Sequence, residues 1–361
     1  MFKSSEGSTA RLLQLCIAYF IFYVITGITV KYFTGNGFGG MEETEFLVFS
    51  TIGGNAICLL VVLAFRWYRI KTNKLVAVGT LKLPYELLYI IPSGICTAIV
   101  IPTTTLMYTL PISVMVAMVI MRASVIVISR VVDAIQIKQN ILKKRIYPEE
   151  NIAVIFALIA AGVNLLWVGE GDFDFVDSLP AVIILISYIV AYSFRIYIMN
   201  YYKNTRAPGV ALDNKGFFAI EQITATIVII LIALFIFNSP TWFHLQTEQI
   251  SIFRNSFVSP HSLWPSATLA GVAYGMVAFF SVFIFMFKGR TATFAGLVNR
   301  LTSLVAGTTA TLIFAIWYGG KYPKQQDWVS LIFILIAVAF LSMAERKRTI
   351  ELTTAGNNNH N

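Results

Sequence analysis

Run after run of about twenty residues passes almost without a charge in this chain. At about 1.5 Å per residue, such a run wound as helix crosses the ~30 Å hydrocarbon core of a bilayer. Ten spans are expected, roughly Arg11–Phe33, Phe46–Trp67, Tyr85–Tyr108, Ile112–Val132, Ile152–Val168, Leu179–Asn200, Phe217–Phe237, Ala267–Phe287, Thr291–Tyr318 and Trp328–Ala344. Soluble β-strands are shorter than these runs, and the strands of a membrane barrel would alternate apolar and polar residues over about ten positions. Composition agrees. Only 12% of the residues are charged and 57% are hydrophobic, whereas an ordinary globular domain is about 25% charged. The first run is too long for a signal-peptide core and is read as a retained first helix.

The loops test the count. With the N-terminus placed in the cytoplasm, most of the 27 Lys and Arg residues fall on that side, including the groups Arg66–Lys82, Lys138–Arg145, Lys203–Lys215 and Arg346–Arg348. The opposite side receives Lys31, Arg254, Lys321 and Lys324. Basic residues set helix orientation and acidic ones contribute little, so both termini are expected inside. The net charge of +9 is then explained by topology, and no nucleic-acid partner is expected. Five plus five helices with both termini inside makes the second half inverted, the usual construction of secondary transporters. The divisions are 1–150, with spans one to four and a basic loop; 151–168, closing the first repeat; 169–345, the second repeat; and 346–361, a disordered tail. A trace of the repeat is visible in Met118–Val127 around Arg122 and Gly296–Val305 around Arg300. Each follows a long helix and a short turn, Thr109–Pro111 and Lys288–Arg290.

Arg122 and Arg300 lie near the middle of their spans. A central arginine costs roughly 2.5–3.5 kcal/mol on insertion scales, so intramembrane charge points first to function. Both are read as buried groups facing a wet central cavity, where a guanidinium grips phosphate or carboxylate through paired hydrogen bonds. The alternative is a structural ion pair, for instance with Glu221. Arg195 and Glu221 are expected to pair near the cytoplasmic surface, or to gate; Lys31 is an interface anchor or gate. Pro92 and Pro102 each free a backbone carbonyl in span three. Gly94 lies beside the first, and Thr97, Thr103 and Thr104 can satisfy such groups or touch a solute. Span eight carries Gly271, Tyr274 and Gly275, read either as an interruption matching span three or as close helix packing. Tyr19 and Tyr23 in span one, and Tyr188, Tyr192 and Tyr197 in span six, can line the cavity, with Asn299 beside Arg300. Asn55 and Asn164 are read as helix-to-helix hydrogen-bonding residues.

No metal site and no cofactor are expected. Cys16, Cys58 and Cys96 sit inside apolar segments without metal spacing, and His244, His261 and His360 fall in a loop or the tail. Gly35–Gly40 matches a dinucleotide-binding pattern by letters but has no preceding strand, and no Walker lysine motif exists to drive a pump.

The stretch Thr105-Leu-Met-Tyr-Thr-Leu-Pro-Ile-Ser-Val-Met-Val-Ala-Met with Arg122-Ala-Ser-Val, and its counterpart Phe287-Lys-Gly-Arg-Thr-Ala-Thr-Phe-Ala-Gly-Leu-Val, resemble the paired helices of the drug/metabolite transporter superfamily. The likeness covers about Ala10–Ala344. That superfamily includes EamA-like bacterial exporters and eukaryotic nucleotide-sugar carriers. The long outer loop Asn238–Pro265 and the Asn299-Arg300 pair make the chain look more like the carriers. The resemblance implies an all-α integral membrane protein of ten helices, working by alternating access with no covalent chemistry. Its partners are the bilayer, a small anionic solute, a coupling proton or counter-substrate, and a second copy in a homodimer. The membrane is a bacterial plasma membrane or a Golgi-type endomembrane. The alternatives are a lipid-linked transferase, which needs paired carboxylates, histidine or metal ligands at the interface, and a non-transporting receptor or scaffold.

Overall fold

The computed structural model describes residues 7–35, 37–78, 80–108, 115–167, 174–245 and 247–358. The turn Thr109–Pro111 and the acidic residues Glu170 and Asp172 fall outside them. The helices in chain order are α1 (Thr9–Thr34), α2 (Glu43–Ala64), α3 (Leu87–Tyr108), α4 (Met115–Lys138), α5 (Pro148–Gly162), α6 (Leu179–Asn204), α7 (Asn214–Phe243), α8 (Glu248–Val258), α9 (Trp264–Phe285), α10 (Ala292–Tyr318) and α11 (Gln325–Asn358). Among the described residues, 8 helices are long and apolar enough to cross a membrane, and α3 adds a shorter apolar stretch, Leu87–Thr103.

The burial pattern is the reverse of a soluble bundle. Exposed Leu13, Ile17, Ile21 and Ile25 line one stripe of α1, and Ile183, Ile186, Val190 and Phe194 one stripe of α6. Spacings of three and four put each set on one helix face. Such apolar faces are stable only against lipid. The protein is a multi-pass α-helical membrane protein. Exposed Trp242, Trp264, Trp317 and Trp328 gather at the end away from the termini, as an aromatic belt at a membrane interface does.

Three features depart from the expected plan. A small antiparallel hairpin, β1 (Leu75–Val78) and β2 (Leu81–Pro84), stands between α2 and α3 in register Val76↔Leu83. Its first strand carries the β-branched Val76 and Val78, which favour extended backbone. The amphipathic α8 occupies the long loop after α7, its start capped by the Thr247 hydroxyl. Finally, α11 runs on to Asn358 through the segment expected to be a disordered tail. Ion pairs hold that extension: Lys347 with Glu149, and Arg348 with Glu150 and Glu351.

Packing joins α2 to α9, α5 to α11, α3 to α6 and α7, α1 to α9 and α10, and α4 to α6 and α10. The α2–α9 contact is the closest. A Cβ on Gly53, Gly271 or Gly275 would collide with backbone of the facing helix, and the Cys58 thiol donates to the Gly275 carbonyl at 3.4 Å. Gly271 and Gly275 therefore serve helix packing, and α9 is continuous through both. So is α3 through Pro92 and Pro102. Of the two readings offered for these segments, close packing is what the helices show: Gly94 admits Thr224 and the Glu221 carbonyl of α7.

Candidate functional site

Two helices cross at the middle of the bundle. Asp133 of α4 caps the start of α10, accepting from the backbone N–H groups of Ala292 at 2.8 Å and Thr293 at 2.6 Å. A carboxylate at a helix N-terminus satisfies orphan donors and opposes the macrodipole. One turn further in, Ser129 lies against Gly296, where a Cβ would strike its hydroxyl. The helices run antiparallel from this crossing. Arg300 lies four residues beyond Gly296 and Arg122 seven beyond Ser129, about 6 and 10 Å along their axes.

Arg300 is enclosed by tyrosines. Its Nη2 donates to the Tyr188 hydroxyl at 2.9 Å, and its guanidinium carbon lies 5.2 Å from the Tyr192 ring centre. Those two rings are 4.7 Å apart, one turn apart on α6. Tyr19 and Tyr23 of α1, with rings 5.6 Å apart, are its other electrostatic neighbours. Asn299 beside it donates to Ser281 of α9 at 3.0 Å. Arg300 has no acidic ion-pair partner among the described residues, and its Nε is buried without a hydrogen-bond partner there. A buried, unpaired donor on a cation is costly unless an acceptor arrives. This arrangement is chemically suited to hold an anion, with aromatic faces on either side.

Arg122 is exposed, not buried as expected. It nevertheless shares a stripe of α4 with the buried Ile126, Ser129 and Asp133, at intervals of four, seven and eleven residues. That stripe faces α10. Arg122 makes no ion pair among the described residues.

The remaining candidates divide. Tyr274 donates to the Ile101 carbonyl at 3.3 Å, tying α9 to α3 beside Pro102. Thr97 and Thr103 donate back to the Ser93 and Val100 carbonyls of their own helix, both at 3.0 Å. They therefore leave alone the carbonyls that the prolines free, those of Leu88 and Ala98, and no solute contact is needed to satisfy them. The side chain of Thr104 lies outside the described residues. Pro92 is exposed on the outer surface of α3. Lys31 donates to Thr311 of α10 at 2.7 Å, facing into the bundle rather than anchoring at its edge.

Arg195 and Glu221 do pair, but deep in protein rather than near a surface. Nε and Nη2 meet the two carboxylate oxygens at 3.0 and 3.1 Å, and Ser93 adds a hydrogen bond to Glu221 at 2.6 Å. The residues are 5% and 1% exposed. The two charges offset each other and Ser93 joins them, so this is a structural clamp of α3, α6 and α7. Asn55 accepts from Gln222 and Thr226, joining α2 to α7.

A second constellation was not foreseen. At the end carrying the termini, Thr291 donates to Glu150 at 2.8 Å, and Arg348 reaches the same carboxylate at 3.3 Å. Arg290 pairs with Glu345, which also accepts from Thr9 at 2.8 Å. Buried Lys203 donates to the Phe285 carbonyl at 3.0 Å. The signal for it was a set of acids, Asp133, Glu150 and Glu345, within otherwise basic surroundings. On the same side Glu86 is fully buried. Burial raises its carboxyl, but hydrogen bonds from Thr72 and the Asn73 N–H, with the Arg206 guanidinium, outweigh this and hold it below its ordinary value.

No family model matches the chain, and no curated protein does. Among solved structures, one described only as the crystal structure of a protein aligns with 94% of this chain and 99% of its own, at 12% identity and a TM-score of 0.52. At that identity the likeness concerns the fold alone.

Proposed function

We propose that this protein is a secondary carrier or exchanger that moves a small anionic organic solute by alternating access. The observation carrying this reading is Arg300: a cation set among tyrosine rings, with an unspent buried donor and no acidic counter-charge among the described residues. Arg122, exposed on the interior stripe at about the same depth, offers a second positive group to a solute bridging α4 and α10. Neither arrangement supplies bond-making groups; it supplies selective binding and charge compensation.

The packing map supports two inverted five-helix halves. Set α8 aside and pair α1 with α6, α2 with α7, α3 with α9, α4 with α10 and α5 with α11. The contact of α1 with α9 then answers that of α6 with α3; α1 with α10 answers α6 with α4; α2 with α9 answers α7 with α3. The contacts α4–α10 and α5–α11 map onto themselves, so the pseudo-twofold passes through the crossing beside the arginines. Repeat interfaces are where carriers place their solutes. This is also the plan that the resemblance to the drug/metabolite transporter superfamily implies, with the basic, terminus-bearing end in the cytoplasm. The network of Asp133, Glu150, Arg290, Glu345 and Arg348 then forms the closed inner gate.

The test is counterflow in proteoliposomes over a panel of nucleotide sugars, sugar phosphates, carboxylates and organic cations. An anionic solute should exchange, and Arg300→Ala should abolish the exchange while the protein remains monodisperse. Exchange of cations alone, or full activity in Arg300→Ala, would refute the reading.

A further inference from the structure

A separate cavity of about 840 Å³ lies between α1 and α11, with α10 as its floor. It is distant in chemistry from the arginine site, and nothing in the transport reading uses it. Its lining runs from Thr9 to Phe20 on α1, from Phe294 to Val305 on α10, and from Ile350 back to Val338 on α11. Each stretch covers twelve or thirteen residues, about 17–18 Å of helix rise. Half of the ~30 Å hydrocarbon core is about 15 Å. The slot is therefore one leaflet deep: it begins at the interface on the terminus-bearing side and stops near the midplane.

Its chemistry is graded along that depth. Ile17, Phe20, Val305 and Val338 line the inner reach, with the hydroxyls of Thr302 and Ser342 the polar groups there, whereas both charged lining residues, Glu345 and Arg346, stand in the outer half toward the mouth. Glu345 is already held by Arg290 and Thr9. Arg346 is exposed and has no acidic partner among the described residues. The mouth thus presents one uncompensated guanidinium above an apolar slot.

We propose that this groove is a binding site for an anionic phospholipid of the leaflet on the terminus-bearing side, its acyl chain in the slot and its phosphate on Arg346. The shape argues against a second copy as occupant, because a helix packing across a membrane needs a groove through both leaflets. A neutral lipid would fill the slot but leave the cation unmatched; anionic headgroups gain about 1 kcal/mol per nearby basic residue. Since α10 forms the floor, the lipid would lie against the back of the helix that carries Arg300.

The experiment is native mass spectrometry of the detergent-purified, delipidated full chain, titrated in parallel with phosphatidylglycerol, phosphatidylcholine and oleate. Phosphatidylglycerol should bind several-fold better than the other two. Arg346→Gln should erase most of that preference while leaving phosphatidylcholine binding unchanged. Ile17→Trp with Ser342→Trp, both from exposed positions on the walls, should reduce retention of every lipid. Equal binding of the two phospholipids, a preference that survives Arg346→Gln, or oleate binding as well as phosphatidylglycerol would each overturn the proposal. So would a dimer in the wild type that the slot-filling variant dissolves. Because Arg346→Gln alters an exposed side chain, its result stands even if the tryptophan variant misfolds.

Discussion

At the scale of single residues, what sets Arg300 apart from other buried cations is that its neighbours are neutral. Arg195 has a carboxylate on both arms; Arg300 has a phenol on one and nothing on its Nε among the described residues. Charge-assisted hydrogen bonds contribute about 1.5–3 kcal/mol each, or roughly 10- to 100-fold in affinity. Arg300→Lys keeps the charge but loses the planar fork. It should therefore retain binding at a level intermediate between wild type and Arg300→Ala, which loses at least about 100-fold. Tyr188→Phe removes the hydroxyl that accepts from Arg300 and should cost less, up to about tenfold. Equilibrium binding of the solute found in the counterflow panel measures all three; an alanine variant that binds as well as the lysine variant would exclude a role for the charge. Lys144 gives a pH-dependent case in the loop after α4. Burial, and then the nearby Arg348 and Arg290, lower its ammonium from 10.5 to about 8. A depressed lysine is a penalty that is fully present below about pH 8 and disappears as pH rises through 10.5, where the folded and unfolded chains are both neutral there. Lys144→Met should thus raise the melting temperature at pH 7, by the equivalent of up to about 3 kcal/mol. The advantage should shrink steadily between pH 8 and 10.5. A constant advantage across that range would mean packing, not titration, is its source.

Among the helices, the Arg195–Glu221 clamp and the α2–α9 glycine seam do the joining, and they fail in different ways. Removing one partner of a buried pair strands a charge and costs about 3–5 kcal/mol, whereas replacing both with apolar residues is often close to neutral. Glu221→Leu or Arg195→Met alone should lower the melting temperature in detergent by several degrees, and the double variant should recover most of the loss. If the double variant is no better than either single one, Ser93 and the α3 packing carry the effect instead. Gly53→Leu has no such rescue, since the Thr268 backbone it meets cannot move aside. Much of the helical content was legible in the sequence because hydrocarbon demands length and apolarity together, and among the described residues 8 helices meet both demands. The pairing of Arg195 with Glu221 was legible too, since few charges lie inside spans. Its depth was not, because burial depends on which helices stand alongside. Thr97 and Thr103 misled for a related reason: a threonine in a helix can always bond its own preceding turn, and no pattern of letters distinguishes that from a hydroxyl offered to a solute. Gly271 and Gly275 read equally as hinge or seam until Gly53 and Gly54 are seen opposite them. The exposure of Arg122, on the same stripe as buried Ile126, Ser129 and Asp133, depends on how α4 packs and could not be read at all.

At the scale of the whole molecule, one end is tied together by charged and polar groups. Asp133 caps α10, Thr291 and Arg348 share Glu150, and Arg290 ties α10 to α11 and to the backbone of Gly7 before α1. Nearly every element that would have to part for a solute to leave toward the termini is joined here to α10. The opposite end is held by ring contacts instead, Tyr32 of α1 and Phe38 of the loop after it against Phe314 and Tyr318 of α10. Under the proposed alternating access the first set must release when the second tightens, and the carboxylate at the start of α10 is the simplest place to bias that exchange. Asp133→Asn keeps the shape and removes the charge that opposes the helix dipole, a change of about 1–2 kcal/mol. That shifts an equilibrium by roughly 5- to 30-fold. Ser129, 1% exposed against Gly296, reports the opening, because it is uncovered only when α10 leaves α4. In a background with Cys16, Cys58 and Cys96 replaced, Ser129→Cys should react slowly with a membrane-impermeant maleimide applied from the terminus-bearing side. Adding Asp133→Asn should speed that reaction at least fivefold, and bound solute should change the rate in both backgrounds. A rate that Asp133→Asn leaves untouched would place the gate elsewhere and reduce the charge network to a fixed seal between α4 and α10.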